Sequence, residues 1–236
     1  MVLAFLFLNE AENNSVEGSQ VKTSYPFPCL LLSGMPCTGK DTLTHQLIER
    51  DPSFAFLRKH RADPSSQPPR EDNTYIHVSP KTFSSLAQSG GFLQFHGRYG
   101  RGYGVSREEY ATLIDAARVP IIHVGKYENL RALRESGLHA GLSVLLWADR
   151  PIVHARLLER HTHRTDGVEE RLVAYDQEVE QLKSFAALGE LDFDLVFANN
   201  GPDPAVAADA LLSLLRSPSI RSRKEAQHEL SRLLDL

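Results

Sequence analysis

Cysteine is scarce in this chain, as are long apolar runs and any large excess of one charge. The two cysteines, Cys29 and Cys37, lie in a sequence of 236 residues, so we expect no disulfide framework and a reducing, cytoplasmic compartment. No apolar run approaches the roughly 18 residues of a membrane-spanning helix, and the apolar start MVLAFLFLNE is too short for a signal peptide. The net charge of −4 predicts no general attraction to nucleic acid or to membranes.

The hydrophobic content of 42% is typical of a globular protein with a core. Residues 1–25 include a long polar, aperiodic stretch and are predicted to form a flexible leader. From residue 27 onward, short apolar runs alternate with helical patterns, which predicts an α/β fold with a parallel sheet and helices on both faces. Residues 75–104 interrupt this alternation and predict a small β-containing insertion. Four glycines in residues 97–104, GRYGRGYG, predict a tight turn there.

A phosphate-binding loop is predicted between the first strand and the first helix. The sequence GMPCTGK follows an apolar run and precedes a helical pattern, and it matches G-x-x-x-x-G-K. Its glycines let backbone N–H groups turn toward phosphate oxygens, its lysine reaches the terminal phosphates, and the helix N-terminus adds partial positive charge. The residues predicted to bind ATP here are Gly34, Met35, Pro36, Cys37, Thr38, Gly39 and Lys40, together with the next two, Asp41 and Thr42.

An aspartate, Asp41, stands where this loop normally carries a magnesium-binding hydroxyl, and Thr42 supplies a hydroxyl one residue later. Magnesium prefers carboxylate and water oxygens, so Asp41 can bind it and the metal would offset the added negative charge. Asp41 can equally be a favourable charge at the start of a helix. We therefore predict Mg²⁺ at Asp41 or Thr42 and leave the choice between them open.

Downstream segments resemble the guanylate kinase family over about residues 27–215. FLQFHGRYGRGYGVS and YIHVS are similar to the acceptor-binding segments of that family, ARLLERHTHRTDGVEERL is similar to its lid, and ANNGPD stands where the family has V-N-D-D. The resemblance implies a P-loop NTPase fold in residues 26–217, with an acceptor-binding insertion at about 58–105 and a helical lid at about 156–171. A C-terminal helix is predicted within residues 218–236.

The resemblance also implies roles for individual side chains. Lys40 would act with three lid arginines, Arg156, Arg160 and Arg171, to clamp the ATP phosphates and the transition state, although solvated helix arginines are the alternative interpretation. Asn199 would lie near the adenine. The residues implied to bind the acceptor phosphate are Arg58, Arg61, Arg70, Tyr75 and Tyr103.

The positions that read the guanine base differ from the family pattern. Gln94 replaces a glutamate, Val105 replaces a hydroxyl residue, and Lys126 follows a strand after which a carboxylate is expected. A site that loses its polar partners loses discrimination for the base. Another enzyme of this type, ribose 1,5-bisphosphate phosphokinase, also carries a G-K-D-S/T loop and lacks the glutamate. We therefore predict that Gln94 and Lys126 bind an acceptor whose identity the sequence leaves open.

These features predict a nucleoside monophosphate kinase-like phosphotransferase that uses ATP and Mg²⁺ on a phosphate-bearing small molecule. GMP is the acceptor in the nearest family, and ribose 1,5-bisphosphate is the alternative. A non-catalytic binding module is a further alternative, disfavoured because Lys40 and both loop glycines are present. A metal protein using His161 and His163 is disfavoured because no third ligand pattern accompanies them. We expect a monomer or homodimer without nucleic-acid or membrane partners.

Overall fold

The computed structural model describes residues 25–64, 74–98, 100–160, 167–217 and 223–235. Its strands are β1 (Leu30–Ser33), β2 (Phe54–Phe56), β3 (Lys59–Ala62), β4 (Tyr75–Val78), β5 (Phe92–Arg98), β6 (Arg101–Ser106), β7 (Val119–Gly125), β8 (Leu142–Trp147) and β9 (Leu195–Ala198). Its helices are α1 (Lys40–Arg50), α2 (Pro80–Gln88), α3 (Arg107–Asp115), α4 (Tyr127–Leu133), α5 (Arg150–Arg160), α6 (Val168–Ala187), α7 (Pro204–Leu215) and α8 (Arg223–Leu233). A wide helical turn, Arg134–Leu138, extends α4.

The central sheet has five parallel strands in the order β2-β7-β1-β8-β9. Strand β1 lies in the middle, and all four of its residues are buried because a helical layer covers each face. One core cluster includes Leu43 and Leu211 from α1 and α7, and the other includes Tyr175 and Leu230 from α6 and α8. The predicted α/β P-loop fold with a parallel sheet and helices on both faces is thereby confirmed.

A second sheet of four strands, in the order β4-β3-β6-β5, occupies the interruption of the alternating pattern. Strands β3 and β4 are parallel, whereas β6 is antiparallel to both β3 and β5. Helix α2 covers the apolar face of this sheet, where Phe83 packs on Phe92 with ring centroids 4.8 Å apart. The opposite face carries the polar side chains that form the candidate acceptor site.

Two features of this region were not predicted from the sequence. Within the predicted turn, residues 97, 98 and 101–104 lie in β5 and β6, which pair with each other as far as Arg98 and Arg101. The glycines serve the sheet, since a Cβ on Gly102 or Gly104 would come within 2.9 Å and 2.6 Å of the Phe83 and Phe92 rings, respectively. Strands β2 and β3 were not predicted, because FAF and KHRA are too short for a periodic signal.

The described part of the chain begins within the predicted leader. Tyr25 is buried against Phe27 and Phe54, with ring centroids 5.3 Å and 4.6 Å away, so the packed domain includes this residue. Within the described ranges, the model has no helix with the length and apolarity needed to span a membrane. The cysteines are free thiols, Cys29 in the core and Cys37 in the phosphate loop.

Candidate active site

The phosphate loop lies at the carboxyl end of the central strand β1 and leads into α1, the usual position of ligands in parallel α/β sheets. Its backbone turns through left-handed conformations at Gly34 (φ +152°), Cys37 (φ +60°) and Gly39 (φ +100°). A Cβ on Gly39 would lie 2.6 Å from the Asn199 side-chain nitrogen. The loop is therefore held against the strand that ends at residue 198, and glycine is required where the two approach.

Lys40 folds back over the loop that precedes it. Its Nζ donates hydrogen bonds to the carbonyl oxygens of Gly34 (2.5 Å) and Met35 (2.8 Å). Burial lowers the pKa of this ammonium, and the nearby carboxylates of Glu178 and Asp41 offset part of that effect. A polyphosphate in the loop would give Lys40 a charged partner in place of neutral carbonyl groups, which is a stronger interaction.

The Arg156 and Asn199 side chains hold the phosphate loop through hydrogen bonds to backbone carbonyl oxygens. Arg156 donates to the carbonyl oxygens of Asn199 (2.9 Å), Gly201 (3.3 Å) and Thr38 (3.3 Å), and the Asn199 side chain donates to the Thr38 oxygen at 2.8 Å. Burial is the main cause that lowers the Arg156 pKa, and the cation of Arg160 adds to it. The structure thus brings Arg156 and Asn199 to the loop, and Arg160 is an electrostatic neighbour of Arg156.

The third predicted lid arginine is placed differently. Arg171 lies exposed in the first turn of α6, and in the described part of the chain its side chain makes no hydrogen bond to the loop. Arg160 is the exposed last residue of α5. Residues 161–166, between these helices, include His161 and His163 and lie outside the described ranges. The joint role of the lid arginines stays a prediction.

Asp41 is exposed on the first turn of α1 and faces a histidine on the neighbouring strand β7. Its Oδ1 lies 3.4 Å from Nδ1 of His123, whose Nε2 lies 2.8 Å from the Thr44 hydroxyl. Burial, together with the cations of Lys40 and Lys59, lowers the pKa of His123 to about 3. The imidazole is therefore neutral near pH 7 and aligns the aspartate without adding charge.

Few side-chain oxygens lie beside the loop. This arrangement fits a magnesium ion bound partly by substrate phosphates and water better than a metal enclosed entirely by protein ligands. Asp41 offers an exposed carboxylate and Thr42 an exposed hydroxyl, and the described ranges contain no cluster of three or more His, Cys, Asp or Glu placed to hold a metal. Magnesium commonly uses one or two carboxylates together with substrate phosphates and water. The residues present therefore fit a nucleotide-bound magnesium ion.

One face of the second sheet gathers tyrosine and arginine side chains. In the strand register Arg61 is opposite Tyr103, and Tyr103 is opposite His96. The Arg61 guanidinium carbon lies 5.3 Å from the Tyr75 ring centroid and 5.9 Å from that of Tyr103, and His96 stacks on Tyr103 at 5.6 Å. Three predicted phosphate-binding residues, Arg61, Tyr75 and Tyr103, are thus brought together by the pairing of β3, β4 and β6.

Arg61 is anchored by an acidic neighbour that sequence reasoning did not select. Asp63 accepts hydrogen bonds from Arg61 (2.6 Å) and Arg101 (2.8 Å) and lies 3.1 Å from Nδ1 of His77. Burial alone would raise the pKa of Asp63, but these arginines hold it below its usual value. The carboxylate therefore stays ionised and keeps Arg61 in place on the sheet face.

The remaining predicted acceptor residues are dispersed. Arg58 is exposed just before β3, and Lys126 is exposed at the N-terminus of α4. Arg70 lies outside the described residues. Gln94 is buried on β5, and Val105, its partner in the strand register, is fully buried. Of the six described residues, the structure thus groups Arg61, Tyr75 and Tyr103, with Gln94 on the same face of the sheet through His96, whereas Arg58 and Lys126 are exposed.

Two cations near the loop were missed in the sequence. Lys59 lies on β3, and burial with the nearby cations Lys40 and Arg98 lowers its pKa to about 8. Arg98 on β5 pairs with Glu178 of α6 at 2.9 Å, and Glu178 is also an electrostatic neighbour of Lys40. Alternation along β3 could have identified Lys59, two residues from Arg61, but β3 itself was not predicted. Lys59 and Arg98, from two strands of the second sheet, are thus electrostatic neighbours of Lys40 in the phosphate loop.

Comparison with known proteins gives consistent similarities. The chain is 27% identical over 176 residues to the guanylate kinase of Parasynechococcus marenigrum, covering 75% of this chain and 92% of the relative. It is 26% identical over 204 residues to that of Aromatoleum aromaticum, covering 86% and 94%. The crystal structure of guanylate kinase from Anaplasma phagocytophilum superposes with a TM-score of 0.56 at 16% identity, covering 84% and 91%. No family model matches the chain.

The fold and the phosphate loop are those of a P-loop NTPase, and the curated relatives make the chain similar to phosphotransferases of the nucleoside monophosphate kinase-like class. Within that class the chain is guanylate kinase-like, as the curated relatives and the similar crystal structure agree. The resemblance stated from the sequence motifs is confirmed at this level.

Proposed function

We propose that the protein transfers the γ-phosphoryl group of ATP to a phosphate-bearing small molecule. The observation that carries this proposal is that the cation of the phosphate loop and the cations of the second sheet lie close together. Lys40 of the phosphate loop has Lys59 and Arg98 of the second sheet as electrostatic neighbours, and Arg61 lies two residues from Lys59 on the same strand. In-line transfer requires cations that hold the acceptor phosphate in line with the terminal phosphate of the donor.

The chemistry needs positioning and charge stabilisation more than covalent help. Lys40 and the loop N–H groups would hold the ATP phosphates, while Arg156 and Arg160 would stabilise charge on the transferring group. Asp41 or Thr42 would hold magnesium, which neutralises phosphate charge when bound. No general base is required, because a phosphate acceptor already carries a nucleophilic anionic oxygen.

GMP is the first acceptor to consider, because the similar proteins are guanylate kinases. Ribose 1,5-bisphosphate is a second candidate, favoured by Gln94 at the base-reading position and by fully buried Val105 opposite it. We propose further that the protein acts in the cytoplasm as a monomer or homodimer, without nucleic-acid or membrane partners.

The proposed function is tested by coupled ADP release with ATP and Mg²⁺ across GMP, dGMP, AMP, CMP, UMP and ribose 1,5-bisphosphate. Acceptor-dependent ADP release is expected with at least one of them. A calorimetric ATP titration accompanies the assay, because a binding module that has lost the catalytic site would release no ADP. Absence of both ATP binding and ADP release would contradict the proposed function.

Replacing the loop lysine tests the catalytic assignment directly. Lys40→Ala is expected to lower kcat by roughly 100-fold or more, because it removes the cation that stabilises the terminal phosphates. The matched control is Lys81→Ala, at an exposed lysine on α2, which should retain full activity. Near wild-type turnover of the Lys40 variant would exclude the loop as the catalytic element.

A further inference from the structure

The buried end of the acceptor face contains a short chain of amide side chains. Gln94 on β5 is 6% exposed, and its Nε2 donates to the Asn129 side-chain oxygen on α4 at 3.0 Å. The Asn129 Nδ2 in turn donates to the Val124 carbonyl oxygen at 3.3 Å. These residues come from three elements, and we call Gln94 and Asn129 the amide relay.

The direction of the hydrogen bonds in the amide relay follows from the Val124 carbonyl oxygen at its end. The Val124 carbonyl can only accept, so Asn129 must present its NH₂ group to that oxygen. The Asn129 oxygen then faces Gln94, so Gln94 must present its own NH₂ group to Asn129. The orientation of the Gln94 amide is therefore set by Asn129, 35 residues away in the chain.

The neighbouring histidine agrees with this orientation. Nδ1 of His96 lies 3.1 Å from the Gln94 nitrogen. Burial, with the cations of Lys59 and Arg98, lowers the pKa of His96 to about 4. The ring is therefore neutral near pH 7, and its Nδ1 lone pair accepts the second N–H of Gln94 while the proton resides on Nε2.

This arrangement leaves one atom of Gln94 without a partner. Its Oε1 is buried and receives no hydrogen bond from the described residues, although a buried carbonyl oxygen normally has a donor. Gln94 shares its sheet face with His96 and, across the register, with Tyr103 of the acceptor cluster. The fully buried Val105 opposite Gln94 supplies no polar group, so a ligand is the natural source of the missing donor.

Guanine presents two adjacent N–H donors, which match the two oxygens of a carboxylate. Gln94 offers a single oxygen, and its nitrogen is committed to Asn129 and His96. Resting on the proposed function, we propose that the amide relay selects an acceptor that presents one hydrogen-bond donor to the Gln94 oxygen, as a hydroxyl of a sugar phosphate does, over one that presents the paired donors of guanine. Asn129 acts in this selection as a positioning residue.

The first test is acceptor preference in the full-length protein. The ratio of kcat/KM for ribose 1,5-bisphosphate to kcat/KM for GMP is measured for wild type and for Gln94→Glu. The second oxygen of the glutamate should shift this ratio toward GMP by roughly tenfold to 100-fold. The KM for ATP is measured alongside and should stay within about twofold, because Gln94 lies on the acceptor sheet.

The second test is a double-mutant cycle on the preferred acceptor. Asn129→Ala frees the Gln94 amide to rotate and should raise the acceptor KM by about 5- to 20-fold with a smaller change in kcat. In a Gln94→Leu background the same Asn129 change should have little further effect, because its action passes through Gln94. Glu135→Ala, at an exposed position beyond α4, is the control and should leave both constants unchanged.

The outcomes separate this inference from the proposed function. Turnover that favours GMP in wild type, or an unchanged ratio in Gln94→Glu, would overturn the inference while the phosphotransferase activity stands. Additive effects of the Asn129 and Gln94 changes would also overturn the relay. Absence of turnover with every acceptor would overturn both, because no acceptor would then reach Gln94.

Discussion

Asp51, the residue that ends α1, joins two distant parts of the domain. Its carboxylate accepts hydrogen bonds from the Tyr25 hydroxyl (2.7 Å), from Arg216 after α7 (2.8 Å), and from the Ser53 hydroxyl (2.6 Å). Burial by itself would raise the pKa of Asp51, but these bonds hold it well below its usual value. The single carboxylate thus fastens the start of the described chain and the end of α7 to the central sheet.

The stability that Asp51 contributes should decrease as the pH falls. A carboxyl group with a depressed folded-state pKa contributes fully above its unfolded value of about 4, and the contribution disappears as pH falls through the folded value. The wild-type unfolding free energy should therefore decline below about pH 4 more steeply than that of Asp51→Asn. At pH 7 the substitution should cost about 1–3 kcal/mol.

Urea unfolding at pH 7 and at pH 3 measures this difference. Asp209→Asn is the control, since Asp209 is a more exposed carboxylate that pairs with Arg50. Equal pH slopes for wild type and Asp51→Asn would show that Asp51 is not the titrating group.

At the scale of elements, the β5–β6 hairpin depends on glycines against whose backbone aromatic rings pack directly. A Cβ on Gly104 would lie 2.6 Å from the Phe92 ring, whereas a Cβ on Gly97 in the same hairpin would approach nothing closer than 3.9 Å. Neither glycine has a left-handed φ. The difference between the two positions is therefore one of packing and not of backbone conformation.

Gly104→Ala should destabilise the protein by about 1–3 kcal/mol, because the added methyl group overpacks the ring cluster. Gly97→Ala should change the unfolding free energy by less than about 0.5 kcal/mol. Thermal unfolding of both variants measures the contrast. Equal stability of the two would mean that Phe92 moves aside without cost and that the close packing has no energetic role.

At the scale of the whole molecule, the ion pair of Arg98 with Glu178 connects the second sheet to α6 of the central domain. The atoms are 2.9 Å apart and the Glu178 side chain is 13% exposed. Lys40 is an electrostatic neighbour of the same carboxylate. This contact therefore links the second sheet to α6 close to Lys40 of the phosphate loop, where the proposed transfer would require water to be excluded.

Weakening this ion pair should allow more ATP to be hydrolysed without phosphoryl transfer to the acceptor. Glu178→Gln is expected to raise the ratio of acceptor-independent ADP release to acceptor-dependent release by about three- to tenfold. Glu180→Gln is the control, because Glu180 lies on the same helix with a 70% exposed side chain paired only to nearby Lys183 among the described contacts. An unchanged ratio in Glu178→Gln would show that the ion pair does not govern closure.

How far the sequence predicts the molecule depends on the range of the interactions involved. A helix was predicted directly after the phosphate loop and is observed there as α1, because helical periodicity is a local property. Strand β3 was not predicted, since its four residues acquire a strand conformation only by pairing with β4 and β6. Lys59 was missed for the same reason. Arg70 lies outside the described residues, so its role stays a prediction, and His161 and His163, for which a metal-binding role was disfavoured, also lie outside them.

The sequence by itself determined the α/β class and the phosphate loop, and it identified Asn199 and Arg156 as candidate site residues. These follow from contiguous motifs and local periodicity. Only the tertiary structure decided that Asp41 faces His123 at 3.4 Å, that Arg61 is held by Asp63, Tyr75 and Tyr103, and that Asn129 orients Gln94. Most of these contacts join residues far apart in the chain. Their geometry depends on strand order, register and packing, which no local pattern of residues specifies.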